Sequence, residues 1–369
     1  MPLESVDVFA NHKGGCGKTV LLFHAACQYA KQHSEQKVCV MDMTVIGDIS
    51  RLLLGGDVYE SKNINGLEEL AEKYSTSIAL EDAALGVGKS SSSTANSKKR
   101  ESSFYLHSPP PKGTRSTIEN IQVEQYMLQV SEVNKYIPSN LYLTVGGGSK
   151  EQIVFDQDKK ERIIETLRES FHKSSDSWKI FLDTDGDLTF SCYTQIALCF
   201  ADKVVIPLMP SYIDFRRVSS FLEEFYSLQE SRNGSAKILG VVWNNIDSQK
   251  NEPWKPFSNV FTPTNAVKSV IKDLNTHLAR VAQHFSQIFY HPLPDDTQDE
   301  DKLCEMFSQS SSLLMRNFGV TGMASTDCGI PFCSMTKGEL VGSRMKYQLN
   351  EESIKNMCLN VQELLDKLS

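Results

Sequence analysis

The glycine-rich segment Lys13-Gly14-Gly15-Cys16-Gly17-Lys18-Thr19 joins two elements that the flanking sequence predicts, a strand and a helix. Residues 6–11 are typical of a short buried strand, and residues 19–31 carry apolar side chains at helical spacing. Glycines between such a strand and helix let backbone N–H groups turn towards a phosphate, at the helix end that favours negative charge. Lys18 is then placed to neutralise phosphate charge, and the Thr19 hydroxyl to bind Mg²⁺.

The strands that follow predict the rest of the architecture. Short apolar runs at residues 37–42, 178–183, 203–207 and 238–244 alternate with helical stretches. Continuous apolar strands separated by helices are typical of a parallel sheet that is covered on both faces. The sequence therefore predicts an α/β fold with a doubly wound, mostly parallel sheet around the glycine-rich loop.

Composition excludes several classes of protein. The chain has 369 residues and a net charge of −8, and no stretch free of Asp, Glu, Lys and Arg exceeds 14 residues. A spanning helix needs about 20 apolar residues, so we expect no integral membrane association. The first residues resemble no secretory leader, and nine irregularly spaced cysteines favour free thiols and a cytoplasmic location. Nucleic acid is a possible partner that the acidic net charge does not support.

Two further segments stand apart from this pattern. Residues 85–117 contain nine serines, the run Pro109-Pro110-Pro111 and an excess of five positive charges, which predicts a disordered surface insertion. A solvated loop is favoured there over a functional basic arm. Residues 350–368 predict an amphipathic helix whose mixed charges favour docking onto the single domain of the chain over binding to a membrane surface.

The lysine at position 13 points to a particular family. The segment that begins with Lys13 resembles the deviant Walker A ATPases, which include the ParA and MinD proteins and the nitrogenase iron protein. The resemblance covers residues 4–55 and about 178–300. It implies that Lys13 reaches the phosphates of a second subunit, stabilising the transferring phosphoryl group as an arginine finger does, so that two copies share ATP. It also implies that the loop binds ATP through Gly14, Gly15, Cys16, Gly17, Lys18, Thr19 and Val20.

Residues 40–52, which run from the second predicted strand into a loop, resemble the family's first switch. ParA and MinD carry a second carboxylate two residues after the strand-end aspartate, here Asp42, but this chain has Thr44 at that position. Asp48 matches an aspartate of the iron protein that approaches the magnesium shell, so the resemblance assigns Asp48 to catalysis and metal binding. Asp42 itself could instead accept local backbone hydrogen bonds.

The segment Asp183-Thr184-Asp185-Gly186-Asp187 resembles the second switch of the iron protein. An aspartate that ends an apolar strand beside the phosphate loop, here Asp183, is expected to hold Mg²⁺. Gly186 would let the loop move, and Asp187 is the candidate to orient the attacking water. The alternative for Asp187 is a turn carboxylate that caps the next helix.

Two positions resemble the family's base-binding residues. Asn244 ends an apolar strand where the family has an asparagine that reads adenine, and Pro294 lies in a segment similar to the loop that packs over the base. Residues 244–247 lack the lysine that guanine-binding proteins carry in this segment, so ATP is favoured over GTP.

The resemblance therefore implies an ATPase that needs Mg²⁺, dimerises around ATP and positions or partitions a cargo. Hydrolysis is expected to be slow without a partner, because Thr44 replaces the usual carboxylate. The alternative is an ATP-gated adaptor that hydrolyses slowly or not at all. The cargo and any activating protein are not specified by the sequence.

Overall fold

The computed structural model describes residues 2–63, 65–86, 122–147, 154–189, 191–232 and 234–368. Most of the predicted insertion, residues 87–117, lies outside the described residues. The strands are β1 Leu3–Phe9, β2 Lys37–Met43, β3 Leu128–Gln129, β4 Leu141–Thr144, β5 Trp178–Thr184, β6 Lys203–Leu208, β7 Lys237–Ile246, β8 Ser248–Lys250, β9 Thr262–Pro263, β10 Ser312–Arg316, β11 Gly338–Val341 and β12 Lys346–Leu349.

The α-helices are interspersed with the strands along the chain. They are α1 Lys18–Gln32, α2 Asp48–Leu54, α3 Gly56–Lys62, α4 Gly66–Tyr74, α5 Thr76–Leu85, α6 Gln157–Lys173, α7 Cys192–Phe200, α8 Tyr212–Arg232, α9 Asn265–His284, α10 Glu300–Ser311, α11 Gly319–Cys328 and α12 Glu351–Leu368. None of them, in the described part of the chain, is both long and apolar enough to span a bilayer.

Eight strands form one sheet in the order β10-β7-β6-β1-β5-β2-β4-β3. All neighbouring strands are parallel except β3 and β4, which confirms the predicted doubly wound, mostly parallel sheet. Alternate residues of β5 enter different cores: Ile180 and Leu182 pack on one face, and Phe181 packs on the other with α1. Burial on both faces explains why the central strands are predominantly apolar.

The register of the central strands determines where the site forms. Asp183 of β5 pairs with Phe9 at the end of β1 on one side and with Asp42 of β2 on the other. The carboxyl ends of these three strands therefore meet at one edge of the sheet, where the glycine-rich loop leaves β1. Ligands of open α/β sheets bind at this edge.

The last helix, α12, packs against α1 and closes one face of the fold. Its apolar stripe is buried, and the amide of Asn360 donates to the Leu314 carbonyl at 2.9 Å while its oxygen accepts from the Arg316 N–H at 2.8 Å. The buried stripe comprises Ile354, Met357, Val361, Leu364, Leu365 and Leu368. The helix is thus part of the hydrophobic core of the fold.

His24, on the buried face of α1, is expected to contribute acid sensitivity to the stability of the fold. Its ring stacks on Phe332 at 3.5 Å, and Nδ1 accepts the Phe332 N–H at 3.3 Å. Burial lowers the pKa of His24 to about 3, whereas an unfolded histidine has a pKa of about 6.5. Below the unfolded value this histidine binds more protons in the unfolded chain than in the folded one, so its contribution to stability falls as the pH falls.

We expect this one group to cost about 2 kcal/mol of unfolding free energy between about pH 7 and pH 5. The His24→Gln variant should be less stable at neutral pH but should lose less stability over that interval, because glutamine does not titrate. Urea unfolding at several pH values measures the effect, with His284→Gln on the exposed face of α9 as control. Identical pH slopes for His24→Gln and the unchanged protein would contradict this account.

Candidate functional site

The glycine-rich loop borders a cavity of about 510 Å³ at the carboxyl edge of the sheet. Gly14 and Gly15 are exposed, and a Cβ added to either would have no atom within 4 Å, so their backbone faces open space. Gly17 has φ of 93°, and its Cβ would lie 2.0 Å from Asn244 Nδ2. The cavity is lined by Gly14, Gly15, Gly17, Lys18, Thr19, Val20, Thr44, Val45, Ile46, Asp48, Thr184 and Asp185.

Lys18 is buried beneath the loop, with only 6% of its surface exposed. Its Nζ donates to the Lys13 carbonyl at 3.0 Å and to the Asn11 carbonyl at 3.3 Å. Asn11 is in turn anchored to β6, because its amide donates to the Pro207 carbonyl at 2.6 Å. The loop is therefore organised around the Lys18 ammonium, which carries a positive charge at the cavity wall.

Thr19 and Asp183 meet as the sequence predicts. The Thr19 hydroxyl donates to Asp183 Oδ2 at 2.9 Å, while Asp183 Oδ1 is buried and has no hydrogen-bond partner among the described residues. Burial, and then the charges of Asp42 and Asp48, raise the pKa of Asp183 well above its usual value. A buried carboxylate oxygen without a partner, in a concentration of negative charge, fits a divalent cation. The oxygens of Thr19 and Asp183 fit such a cation, and binding of Mg²⁺ by Thr19, Asp183 and Asp48 stays a prediction.

Asp42, which lies beside Asp183 in the sheet, differs from it in being held by hydrogen bonds from its own switch. It accepts the Thr44 hydroxyl and the Ser50 hydroxyl, each at 2.6 Å, and the backbone N–H groups of both residues at 3.1 Å. Burial raises the pKa of Asp42 to about 6 against these hydrogen bonds. The alternative of local backbone bonding is therefore correct for Asp42. The Thr44 oxygen also accepts the Gly47 N–H at 3.0 Å, so Thr44 ties the first switch to the end of β2.

The second switch lies directly on the loop. Gly186 has φ of 86°, and a Cβ there would meet the Asn11 carbonyl oxygen at 1.8 Å and Lys18 Nζ at 3.1 Å. Asp185 lines the cavity and accepts the Thr194 hydroxyl at 2.6 Å. Asp187 is exposed, and its backbone N–H donates to Asp185 Oδ1 at 3.3 Å.

The helix after this switch, α7, is capped by a serine. The Ser191 hydroxyl accepts the Thr194 N–H at 3.1 Å, so the cap is Ser191 and the alternative of capping by Asp187 is wrong. The role of Asp187 in orienting water stays a prediction.

Lys13 extends from the loop towards α8. Its Nζ lies 2.7 Å from Asp214 Oδ1, and the Asp214 carboxylate is fully buried. Asp214 Oδ2 accepts the Met209 N–H at 2.9 Å, and the Asp214 N–H donates to the Ser211 hydroxyl at 3.2 Å. The sequence Ser211-x-x-Asp214 matches a helix capping box, a signal that could have located Asp214 but not its partner.

The two predicted base-binding residues have different surroundings. The Asn244 amide donates to the Cys16 carbonyl at 2.9 Å, so Asn244 supports the glycine-rich loop from β7. Pro294 is exposed, and its carbonyl accepts the amide of Gln283 on α9 at 2.6 Å. Contact with a base stays a prediction for both residues.

Comparison with solved structures agrees with the fold described above. Among solved structures, apo McdA from Cyanothece is 12% identical, with a TM-score of 0.52 over 98% of this chain and 99% of that chain. The ATP complex of a Cyanothece McdA variant is also 12% identical, with a TM-score of 0.52 over 99% and 96% of the two chains. At such identities these likenesses establish the fold. No curated protein matches the chain in sequence.

A family model described as an AAA domain matches residues 5–238, which include the glycine-rich loop, both switches and the central strands β1, β2, β5 and β6. The match spans more than half of the chain. The chain therefore belongs to this AAA-domain family.

Proposed function

We propose that this protein is an ATPase switch that binds Mg²⁺ and ATP, dimerises face to face around the nucleotide, and hydrolyses ATP to ADP and phosphate. The observation that carries the proposal is the open cavity in which Gly14, Gly15, Lys18 and Thr19 face the two switches. The rim beside it carries Lys13, the residue that the resemblance assigns to the phosphates of a second subunit.

The residues around the cavity divide the work by their chemistry. The backbone of residues 14–20 and the Lys18 ammonium would bind the phosphates, and Asn244 and Pro294 would contact the base. Thr19, Asp183 and Asp48 would hold Mg²⁺, which supplies charge neutralisation when bound. Asp187 would orient the attacking water, and Lys13 of a second copy would stabilise negative charge on the transferring phosphoryl group.

The cargo follows only from the resemblance. A ParA/MinD-type switch that alternates between dimer and monomer can position or partition a cargo, and an activating protein would set the rate of that cycle. We assign the site to this class of task and leave the cargo unnamed, because cargo surfaces are specific to each protein.

One observation favours the second candidate, an ATP-gated adaptor. Thr44 occupies the position of the usual second carboxylate and uses its hydroxyl to bind Asp42 and the Gly47 N–H. The first switch is thereby tied to β2 without a carboxylate facing the cavity at position 44. Slow or absent hydrolysis would leave ATP binding itself as the signal.

Steady-state ATPase measurements with Mg²⁺ separate the two candidates. We expect Lys13→Ala to lower turnover by roughly 10³-fold, because an arginine-finger-like cation is lost, and Asp187→Ala to lower it by about 10²-fold or more. Lys159→Ala, at an exposed ion pair of α6, is the control and should not change the rate. Unchanged turnover in both variants would remove these catalytic assignments, and absence of turnover in the unchanged protein would favour the adaptor.

A further inference from the structure

The ion pair between Lys13 and Asp214 joins the loop to α8 within one chain. Both oxygens of the Asp214 carboxylate are used, Oδ1 by Lys13 Nζ at 2.7 Å and Oδ2 by the Met209 N–H at 2.9 Å. The carboxylate is fully buried, and no second cation pairs with it among the residues that the structure describes. The charge of Asp214 is therefore compensated by Lys13.

Lys13 is the accessible member of this pair. Its side chain is 28% exposed, and it lies next to Gly14 and Gly15, whose backbone faces open space. Tyr212 and Ile213, in the first turn of α8, are 56% and 66% exposed and precede Asp214 directly. The amine thus lies at a rim that is open to an approaching molecule and carries apolar side chains, while its carboxylate partner stays inside.

The two possible positions of the lysine compete with each other. If the Lys13 amine reaches across to a second copy, it must break its ion pair with Asp214. The buried Asp214 carboxylate then has no cation beside it. Removing one partner of a buried pair is strongly unfavourable, because the remaining charge is uncompensated. The pair within the chain therefore opposes any contact between Lys13 and another subunit.

We propose that Asp214 is a positioning residue that holds Lys13 within its own subunit, so that a second copy with its bound triphosphate must compete with Asp214 for the amine. This inference rests on the proposed function, because it concerns the same lysine. It adds a restraint on dimerisation that is built into α8. Nucleotide phosphates carry several negative charges, and they can therefore compete with a single carboxylate for the Lys13 amine.

Acylation of the Lys13 amine, followed by mass spectrometry of the nucleotide-free monomer, tests the pair directly. The Asp214→Asn variant keeps an oxygen for the Met209 N–H but loses the charge, so Lys13 should be acylated roughly tenfold faster. Asp214→Glu retains a carboxylate and should return the rate towards that of the unchanged protein. Asp176→Asn, which releases Lys37 from a 2.6 Å surface pair, should accelerate Lys37 and leave Lys13 unchanged. Equal Lys13 rates in the Asp214→Asn variant and the unchanged protein would overturn the inference.

Sedimentation of both proteins with Mg²⁺ and a non-hydrolysable ATP analogue tests the competition. We expect Asp214→Asn to dimerise at about tenfold lower protein concentration, which corresponds to about 1.4 kcal/mol. A variant that binds the analogue but dimerises no better than the unchanged protein shows the inference to be wrong and leaves the proposed ATPase function standing. If neither protein binds the analogue, the proposed function fails and the inference fails with it. Urea unfolding confirms that each variant is folded.

Discussion

Lys18→Ala should lower the affinity for ATP by about 100-fold or more, the largest loss of nucleotide affinity that we expect from one side chain. Two effects combine in this variant. The positive charge next to the open backbone of Gly14 and Gly15 is lost, and a charge-assisted bond to phosphate is roughly twice as strong as a neutral one. The Asn11 and Lys13 carbonyls also lose their common donor, which loosens the loop itself.

Titration with a fluorescent ATP analogue measures this affinity, and circular dichroism checks that the variant is folded. Lys31→Ala is the matched control: Lys31 lies in the last turn of the same helix, far along α1 from the cavity, and its Nζ contacts the Cys333 carbonyl. The control should bind the analogue as the unchanged protein does. If Lys18→Ala is folded and keeps its affinity within about threefold, Lys18 is not the phosphate-binding lysine.

Gly186→Ala should disrupt the site through the backbone. The added Cβ would lie 1.8 Å from the Asn11 carbonyl oxygen, a backbone atom that holds Lys18, at a φ of 86° that alanine disfavours. Overpacking and left-handed strain together cost roughly 3 kcal/mol or more of unfolding free energy. The second switch or the loop must move apart in response, so we expect ATP affinity to fall with stability.

Gly319→Ala separates the two causes. Gly319 also has positive φ, 51°, but a Cβ there would meet nothing within 4 Å, so only the backbone strain of about 1 kcal/mol is expected. Urea unfolding compares the two variants, and nucleotide titration shows which one affects the site. Equal losses of stability in both would mean that the contact between Gly186 and Asn11 does not constrain the second switch.

These variants also show how the site depends on the sheet. Asp42, Asp183 and the end of β1 are brought together by strand register, and Lys18 reaches back beneath the loop to the carbonyls of residues 11 and 13. The loop is therefore also supported from two further strands, β6 through Pro207 and β7 through Asn244. A substitution that removes either of these hydrogen bonds should change the affinity for nucleotide.

Much of this architecture could be predicted from local pattern. Continuous apolar strands alternating with helices predicted the parallel sheet, because burial on both faces leaves no polar alternation. The glycine-rich segment between strand and helix predicts a phosphate-binding loop, and the structure places Gly14, Gly15, Lys18, Thr19 and Asp48 at one cavity, with Asp183 against Thr19. These features can be predicted from the sequence because they depend on residues that are close together along the chain.

The side-chain partners of the site were decided by the tertiary structure alone. Asp214 meets Lys13 across 201 positions of sequence, and Asn244 meets Cys16 across 228. The sequence shows Thr44 in place of a second carboxylate. Its bond to Asp42, and the position of Asp185 in the cavity, depend on how the two switches fold back onto the sheet. Strand order and register set these distances, and no periodicity within one segment records which distant segment will lie beside it.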